Sequence, residues 1–167
     1  TVLGSTDNDI IRVVDVPVFV YKSPKYFDKD KNIERALYAT DFRQSMSKVL
    51  KYLINKNFQA QSLYLLHVAK RAPDPQTEQN RQEAVDERLE VLKKRCEGCF
   101  SHIEKLQAVG PVKRRIVQAA KKYDVDVTII GKHDNENTVE QLVGSTAESL
   151  PHQSPCSVFI VPGSRES

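Results

Sequence analysis

Apolar and polar positions along the chain follow two periods in turn. Leu37 to Thr40 is a short apolar run ending at Asp41, and beyond it Met46, Val49, Leu50, Leu53 and Ile54 recur at helical spacing. A first strand and a first helix are predicted. Leu63 to Val68 is too short and too uniformly apolar for a surface helix and follows the polar Asn55-Lys56-Asn57, so it predicts a second strand covered on both faces. Pro73 and Pro75 mark a loop, after which Val85, Leu89, Leu92, Cys96 and Cys99 fall on one face of a long second helix. Ile103 to Leu106 is a weaker candidate for a third strand. Gly110-Pro111 puts proline at a first helical position, and Val112, Ile116, Ala119, Ala120 and Tyr123 form the apolar face of the third helix. Val127 to Ile130 predicts a fourth strand stopped by Gly131; a polar stretch, a last helix broken by Pro151 after Leu150, and a fifth strand at Val158 to Val161 follow. Strands alternating with helices of this length require right-handed parallel crossovers, hence a doubly wound α/β sheet with helices on both faces.

The first 24 residues fit once they are set against the last 24. A gapless shift of 140 positions puts Gly4-Ser5-Thr6 on Gly144-Ser145-Thr146, Ile10 on Leu150, and Val18-Phe19-Val20 on Val158-Phe159-Ile160. An internal repeat of domain length is the economical reading. Residues 1–24 are then the last helix and last strand of a preceding copy, 25–32 a linker, 33–162 a complete domain and 163–167 a C-terminal tail.

Composition narrows the function classes. The 167 residues make one ordinary domain with a real core, and Lys+Arg 25 against Asp+Glu 22 is too balanced for a non-specific nucleic-acid surface. No apolar run reaches the length of a membrane span and no signal segment opens the chain, so a non-membrane protein is expected. Three cysteines do not make a disulfide framework, which fits a reducing, cytoplasmic location.

In a doubly wound sheet a ligand sits beyond the carboxyl ends of the strands where their order reverses, which here means Asp41 and Gly131. After Gly131 come Lys132, His133 and Asp134, then Gly144-Ser145-Thr146 opening a helix. Glycines admit backbone amides close to a phosphate, and a helix start adds hydroxyls at the positive end of its dipole.

The ordered pieces Ala36-Leu37-Tyr38-Ala39-Thr40-Asp41, Leu65-Leu66-His67-Val68, Gly110-Pro111, Val127-Thr128-Ile129-Ile130-Gly131, Gly144-Ser145-Thr146 and Ser154 to Val161 resemble the universal stress protein family. The resemblance implies a strand order 3-2-1-4-5. It also implies that the last strand pairs antiparallel with its equivalent in another copy, so that Val16, Val18 and Val20 of Val16 to Tyr21 lie against Val158 and Ile160. ATP-binding members carry glycine, two residues, glycine, nine residues, then glycine and Ser or Thr. By matching position Asp41 contacts adenosine, Val68 lines an adenine pocket, and Gly131, Gly144, Ser145 and Thr146 hold phosphates, with Lys132 and His133 beside them. This chain departs twice. Asp134 replaces the second glycine, adding a charge that repels phosphate and a Cβ that blocks the backbone approach. Phe42-Arg43 follows Asp41 where the family commonly has Gly-Ser.

The expected function is therefore a regulatory, non-catalytic stress-response domain with a degenerate nucleotide site, requiring no cofactor and associating through its last strand. Two rivals stand beside it. One is an ATP- or AMP-binding protein of the same family, at most a slow ATPase, since no activated nucleophile or acid/base carboxylate pair is apparent. The other is a thiol or metal sensor using Cys96, Cys99 and His102, although reactive Cys-x-x-Cys pairs belong at helix starts and this one falls at a helix end. Lys113-Arg114-Arg115 opens the third helix, where the dipole disfavours cations; it reads as a solvated basic face or as a site for an anionic partner. His67, ending a buried strand, reads as a satisfied core histidine.

Overall fold

The computed structural model describes residues 16–21, 33–43, 45–55, 60–132, 150–151 and 153–163. Strand β1 (Val18–Val20) is followed by β2 (Arg35–Ala39), helix α1 (Ser45–Ile54), β3 (Ser62–Ala69), α2 (Pro75–Cys96), β4 (His102–Val109), α3 (Val112–Lys122), β5 (Val127–Lys132) and β6 (Ser157–Pro162). The sheet order is β1-β6-β5-β2-β3-β4. All neighbours are parallel except β1, which runs antiparallel to β6 with Val18 opposite Ile160, Phe19 opposite Phe159 and Val20 opposite Val158. The expected doubly wound fold and its antiparallel N-terminal strand are both present.

Strand alternation divides the apolar side chains between two cores. Ala36 and Tyr38 of β2, Leu63 and Leu65 of β3, Val127 and Ile129 of β5, and Phe159 and Val161 of β6 pack with Val49, Leu50 and Leu53 of α1 and Val85, Leu89, Leu92 and Cys96 of α2. Leu37, Tyr64, Leu66, Ile130, Val158 and Ile160 face the other way, onto Ile116 and Ala120 of α3 and onto Leu150. A strand serving both cores must be apolar at every position, which is why β3 and β6 read as continuous runs rather than alternating ones.

Several boundaries differ from expectation. Strand β5 runs through Gly131 to Lys132, because β6 continues beside it with Gly131 opposite Val161 and Lys132 opposite Pro162. Pro111 is the N-cap of α3 rather than its first helical residue, and Val112 is exposed. Pro151 does not break the last helix: Leu150, Pro151 and Gln153 are helical, and the Ser154 N–H still reaches the Leu150 carbonyl at 2.8 Å. Cys99 lies beyond α2, past a turn in which Gly98 takes φ +85°, a conformation natural only to glycine. Gly110 has φ +131°, and a Cβ there would meet Arg115 Nε at 2.9 Å. The β1 ladder is shorter than Val16 to Tyr21: Val16 is 61% exposed and Pro17 precedes the first paired residue, so its missing N–H interrupts nothing.

The amino ends of β2 and β5 are held by one carboxylate. Asp126 Oδ2 accepts the N–H groups of Glu34 and Arg35, 2.9 Å each, while the Asp126 N–H donates to the Arg35 carbonyl at 2.9 Å. Asp126→Ala leaves two amides without their charged acceptor and is expected to cost about 2 kcal/mol, read as a lower urea midpoint with an unchanged slope. A midpoint equal to that of the parent chain would show that water serves those amides as well.

Candidate functional site

The chain reverses its winding between β2 and β5: α1 leads from β2 to β3 on one side, whereas α3 returns across the sheet from the edge strand β4 to β5. The carboxyl ends of these two strands therefore frame the switch-point crevice of the fold.

At the end of β2 the backbone turns sharply into α1. Thr40 donates its N–H to the Leu66 carbonyl at 2.9 Å and accepts the Phe42 N–H on its hydroxyl at 2.9 Å. Asp41 Oδ1 accepts the Arg43 N–H at 3.0 Å, so this carboxylate shapes the turn. Phe42 takes φ +61°, in the left-handed region that a side chain adopts at a cost. Its ring stacks on the His67 imidazole, with centroids 4.8 Å apart and planes at 27°, and the Arg88 guanidinium carbon lies over the ring at 5.3 Å from the centroid. His67 Nδ1 bonds the Thr40 carbonyl at 2.9 Å, which fits the expected satisfied histidine. Beneath the turn, burial and the nearby Asp41 charge raise the Tyr38 phenol, so it is neutral at physiological pH.

Asp41 is thus exposed at the end of β2, and Val68 is half-buried near the end of β3, partly packed against the α3-side core. Gly131 and the buried Lys132 end β5. His133, Asp134, Gly144, Ser145 and Thr146 lie outside the described residues. Sequence reasoning missed Lys48 and the Phe42 stack. Lys48 Nζ donates to the Gly163 carbonyl at 3.2 Å, and the Gly163 N–H donates to the Lys132 carbonyl at 2.7 Å, which sets a cation from α1 at the carboxyl ends of β5 and β6. A contact between residues so far apart in the chain leaves no mark in local spacing. Phe42 did carry a signal, since a bulky residue stood where a glycine is usual.

Cys96 is fully buried at the end of α2; burial, reinforced by Cys99, pushes its thiol up to about 11. Cys99 Sγ donates to the Ile54 carbonyl at 3.7 Å, and His102, exposed, faces Glu104 with Nε2 3.4 Å from Oε2. Among the described residues no three His, Cys, Asp or Glu side chains converge as a metal set. Cys96 is expected to resist a thiol reagent at neutral pH in the folded chain and to react fully in urea; rapid native labelling would restore the sensor reading. Among the described residues no helix is long and apolar enough to cross a membrane.

Residues 32–162 match the sequence profile of the Universal stress protein family. Universal stress protein A homolog 2 of Coxiella burnetii is 33% identical over 78 residues, 44% of this chain and 53% of that protein, so the match spans about half the length of this curated relative. Among solved structures, the protein MJ0577 superposes with a TM-score of 0.69 at 25% identity, covering 81% of this chain and 100% of that one. A universal stress protein in complex with cAMP superposes at 0.58 and 20% identity over 78% of this chain and 98% of that one. A universal stress protein from Archaeoglobus fulgidus superposes at 0.61 and 20% identity over 99% of this chain but 56% of its own length. With a family profile covering nearly the whole of the doubly wound unit, this chain belongs to the universal stress protein family.

Proposed function

We infer that this domain is a non-catalytic regulatory module of the stress response, with a weakened adenine-nucleotide site and with association through β6. The observation that carries the reading is the Phe42 ring, stacked on His67 beneath Arg88 immediately after Asp41, the residue that the family resemblance assigns to adenosine. A side chain of the protein itself takes the place beside that residue, and a Cβ stands at a positive-φ turn where glycine gives a ligand close approach. A residual site would draw on Asp41, Val68, Gly131 and Lys132, together with His133, Gly144, Ser145 and Thr146. The tandem reading, with 1–24 as the end of a preceding repeat and 25–32 as a linker, is supported by the internal repeat and by the superposition of this whole chain on little more than half of the Archaeoglobus protein.

Calorimetric titration of the chain with ATP, AMP and cAMP tests the reading. Dissociation constants of about 1 mM or weaker are expected, no more than about 4 kcal/mol of binding free energy. Micromolar binding of any of the three would overturn it. The second reading, an ATP- or AMP-binding protein with slow hydrolysis, is favoured by the cAMP complex of a structural relative and by Lys48 beside Lys132 at the end of β5. Micromolar ATP affinity with measurable phosphate release would establish it.

A further inference from the structure

Helix α3 carries Lys113, Arg114, Arg115, Lys121 and Lys122 and no acid in its 11 residues. None of these cations forms an ion pair among the described residues, whereas on the other face of β4 Lys105 is matched by Asp86 and Glu90 of α2. Beside α3, on the same sheet face, runs a groove of about 410 Å³ against β4. Its floor is apolar, formed by Leu66, Leu106, Ala108 and Tyr123, while Arg115 and Lys122 stand on the helix side, seven residues or about 10 Å apart. Arg115 is already fixed there, with Nε donating to the Val109 carbonyl at 2.8 Å and Nη1 to Gln118 Oε1 at 2.8 Å. Among the described residues the groove borders an open edge, because β4 ends the sheet and is eight residues long.

We propose that the β4–α3 groove binds an extended acidic segment of a partner protein, which adds as a strand to β4, places alternate apolar side chains in the groove and sets carboxylates against the α3 cations. Three features select this occupant. The edge offers main-chain hydrogen bonds, the floor offers apolar pockets at the two-residue period of a strand, and the unmatched positive helix offers charge complementarity. Lys105, on the opposite face of β4, is already paired with Asp86 and Glu90, so the unmatched cations next to β4 are those of α3 on the groove side. Glu104, the acid of β4 on the groove side by alternation, is turned to His102. A nucleic acid would use the same cations, but the aromatic side chain in the groove, Tyr123, already packs on Tyr64 with ring centroids 4.6 Å apart.

The test uses the full chain and three fluorescein-labelled probes: an octapeptide alternating valine with glutamate, its valine–lysine counterpart, and a single-stranded oligouridylate of equal length. Fluorescence anisotropy is expected to show the glutamate peptide binding at least about tenfold tighter than the lysine peptide, and more weakly as salt rises. Its binding should slow amide exchange along β4. Lys121→Glu with Lys122→Glu should weaken it by about tenfold. Ala108→Arg fills the groove while adding positive charge, and should abolish binding; tighter binding would mean that charge alone attracts the peptide and would overturn the groove. Failure of the glutamate peptide to bind, equal affinity for both peptides, or preference for the oligouridylate would each overturn the proposal.

Discussion

Phe42→Gly tightens ATP or AMP binding by about tenfold or more if the protein's own ring occupies the nucleotide position. Two consequences of the substitution act together. Removing the ring frees the space next to Asp41 and His67, and glycine accepts φ +61° without strain while exposing the backbone to a ligand. Stability moves in both directions at once. Relief of a left-handed side chain contributes on the order of 1 kcal/mol, and loss of the stack on His67 and of the cation above it costs a similar amount, so a small net change in unfolding midpoint is expected. Phe42→Ala separates the two: it removes the ring but keeps a Cβ at positive φ, so its nucleotide affinity should fall between those of the parent and the glycine variant while it unfolds at lower temperature. Asp134→Gly, at a position outside the described residues where the family resemblance puts a glycine, should add to the gain by removing a negative charge and a Cβ. Calorimetry on the parent, the three single variants and the Phe42→Gly, Asp134→Gly double variant measures all of this. Equal affinities throughout would mean that neither departure from the family pattern governs the site.

Deleting residues 1–24 is expected to convert the chain into a self-associating one. All six residues of β6 are buried, and β1 covers the edge that its removal would bare. Phe19, with its ring centroid 6.3 Å from that of Phe159, would also be lost. An uncovered strand of this length and apolarity recruits another, and its twin in a second molecule can take the antiparallel place of Val18–Val20. Sedimentation velocity should show a dimer forming at micromolar concentration, and Ile160→Lys in the truncated chain should prevent it. A truncated chain that stays monomeric with an unchanged unfolding midpoint would show that β1 does not guard the edge.

Much of this architecture was legible because burial on both faces leaves a strong trace. The run Leu63 to Val68 and the run Val158 to Val161 could be little else than central strands, and the spacing of Val49, Leu50 and Leu53 fixed the side of α1 turned to the sheet. Boundaries were less legible where pairing overrode local chemistry. Gly131 is a plausible stop, yet β6 holds it in the ladder; Pro151 is a plausible breaker, yet one missing N–H did not end the turn. In the candidate site, Asp41, Val68 and Gly131 were placed at strand ends by position, while Lys132, expected just past its strand, lies within it. The work of the Asp41 carboxylate within its own turn, and the contact of Lys48 with Gly163, depend on tertiary geometry that no local pattern carries.

Helix α2 is 22 residues long, yet Val85 is the first of its residues to be buried. Its opening ten residues begin at a local cap, Asp74 accepting the Thr77 N–H at 2.9 Å and the Thr77 hydroxyl at 2.7 Å, bonds that hold its carboxyl below the usual range, and they meet β4 through the Gln107 Nε2 bond to the Gln82 carbonyl at 3.0 Å. The helix therefore has two regimes of opening. From Val85 to Cys96 an amide can exchange with solvent only as the core itself comes apart, whereas from Pro75 to Ala84 the turns can fray one at a time at far lower cost. Since Asp74 is held ionised by its bonds, acidification protonates it and releases the fraying end first. The length of α2 is thus not a measure of its rigidity, and the turns before Val85 can loosen and reform while the sheet stays intact.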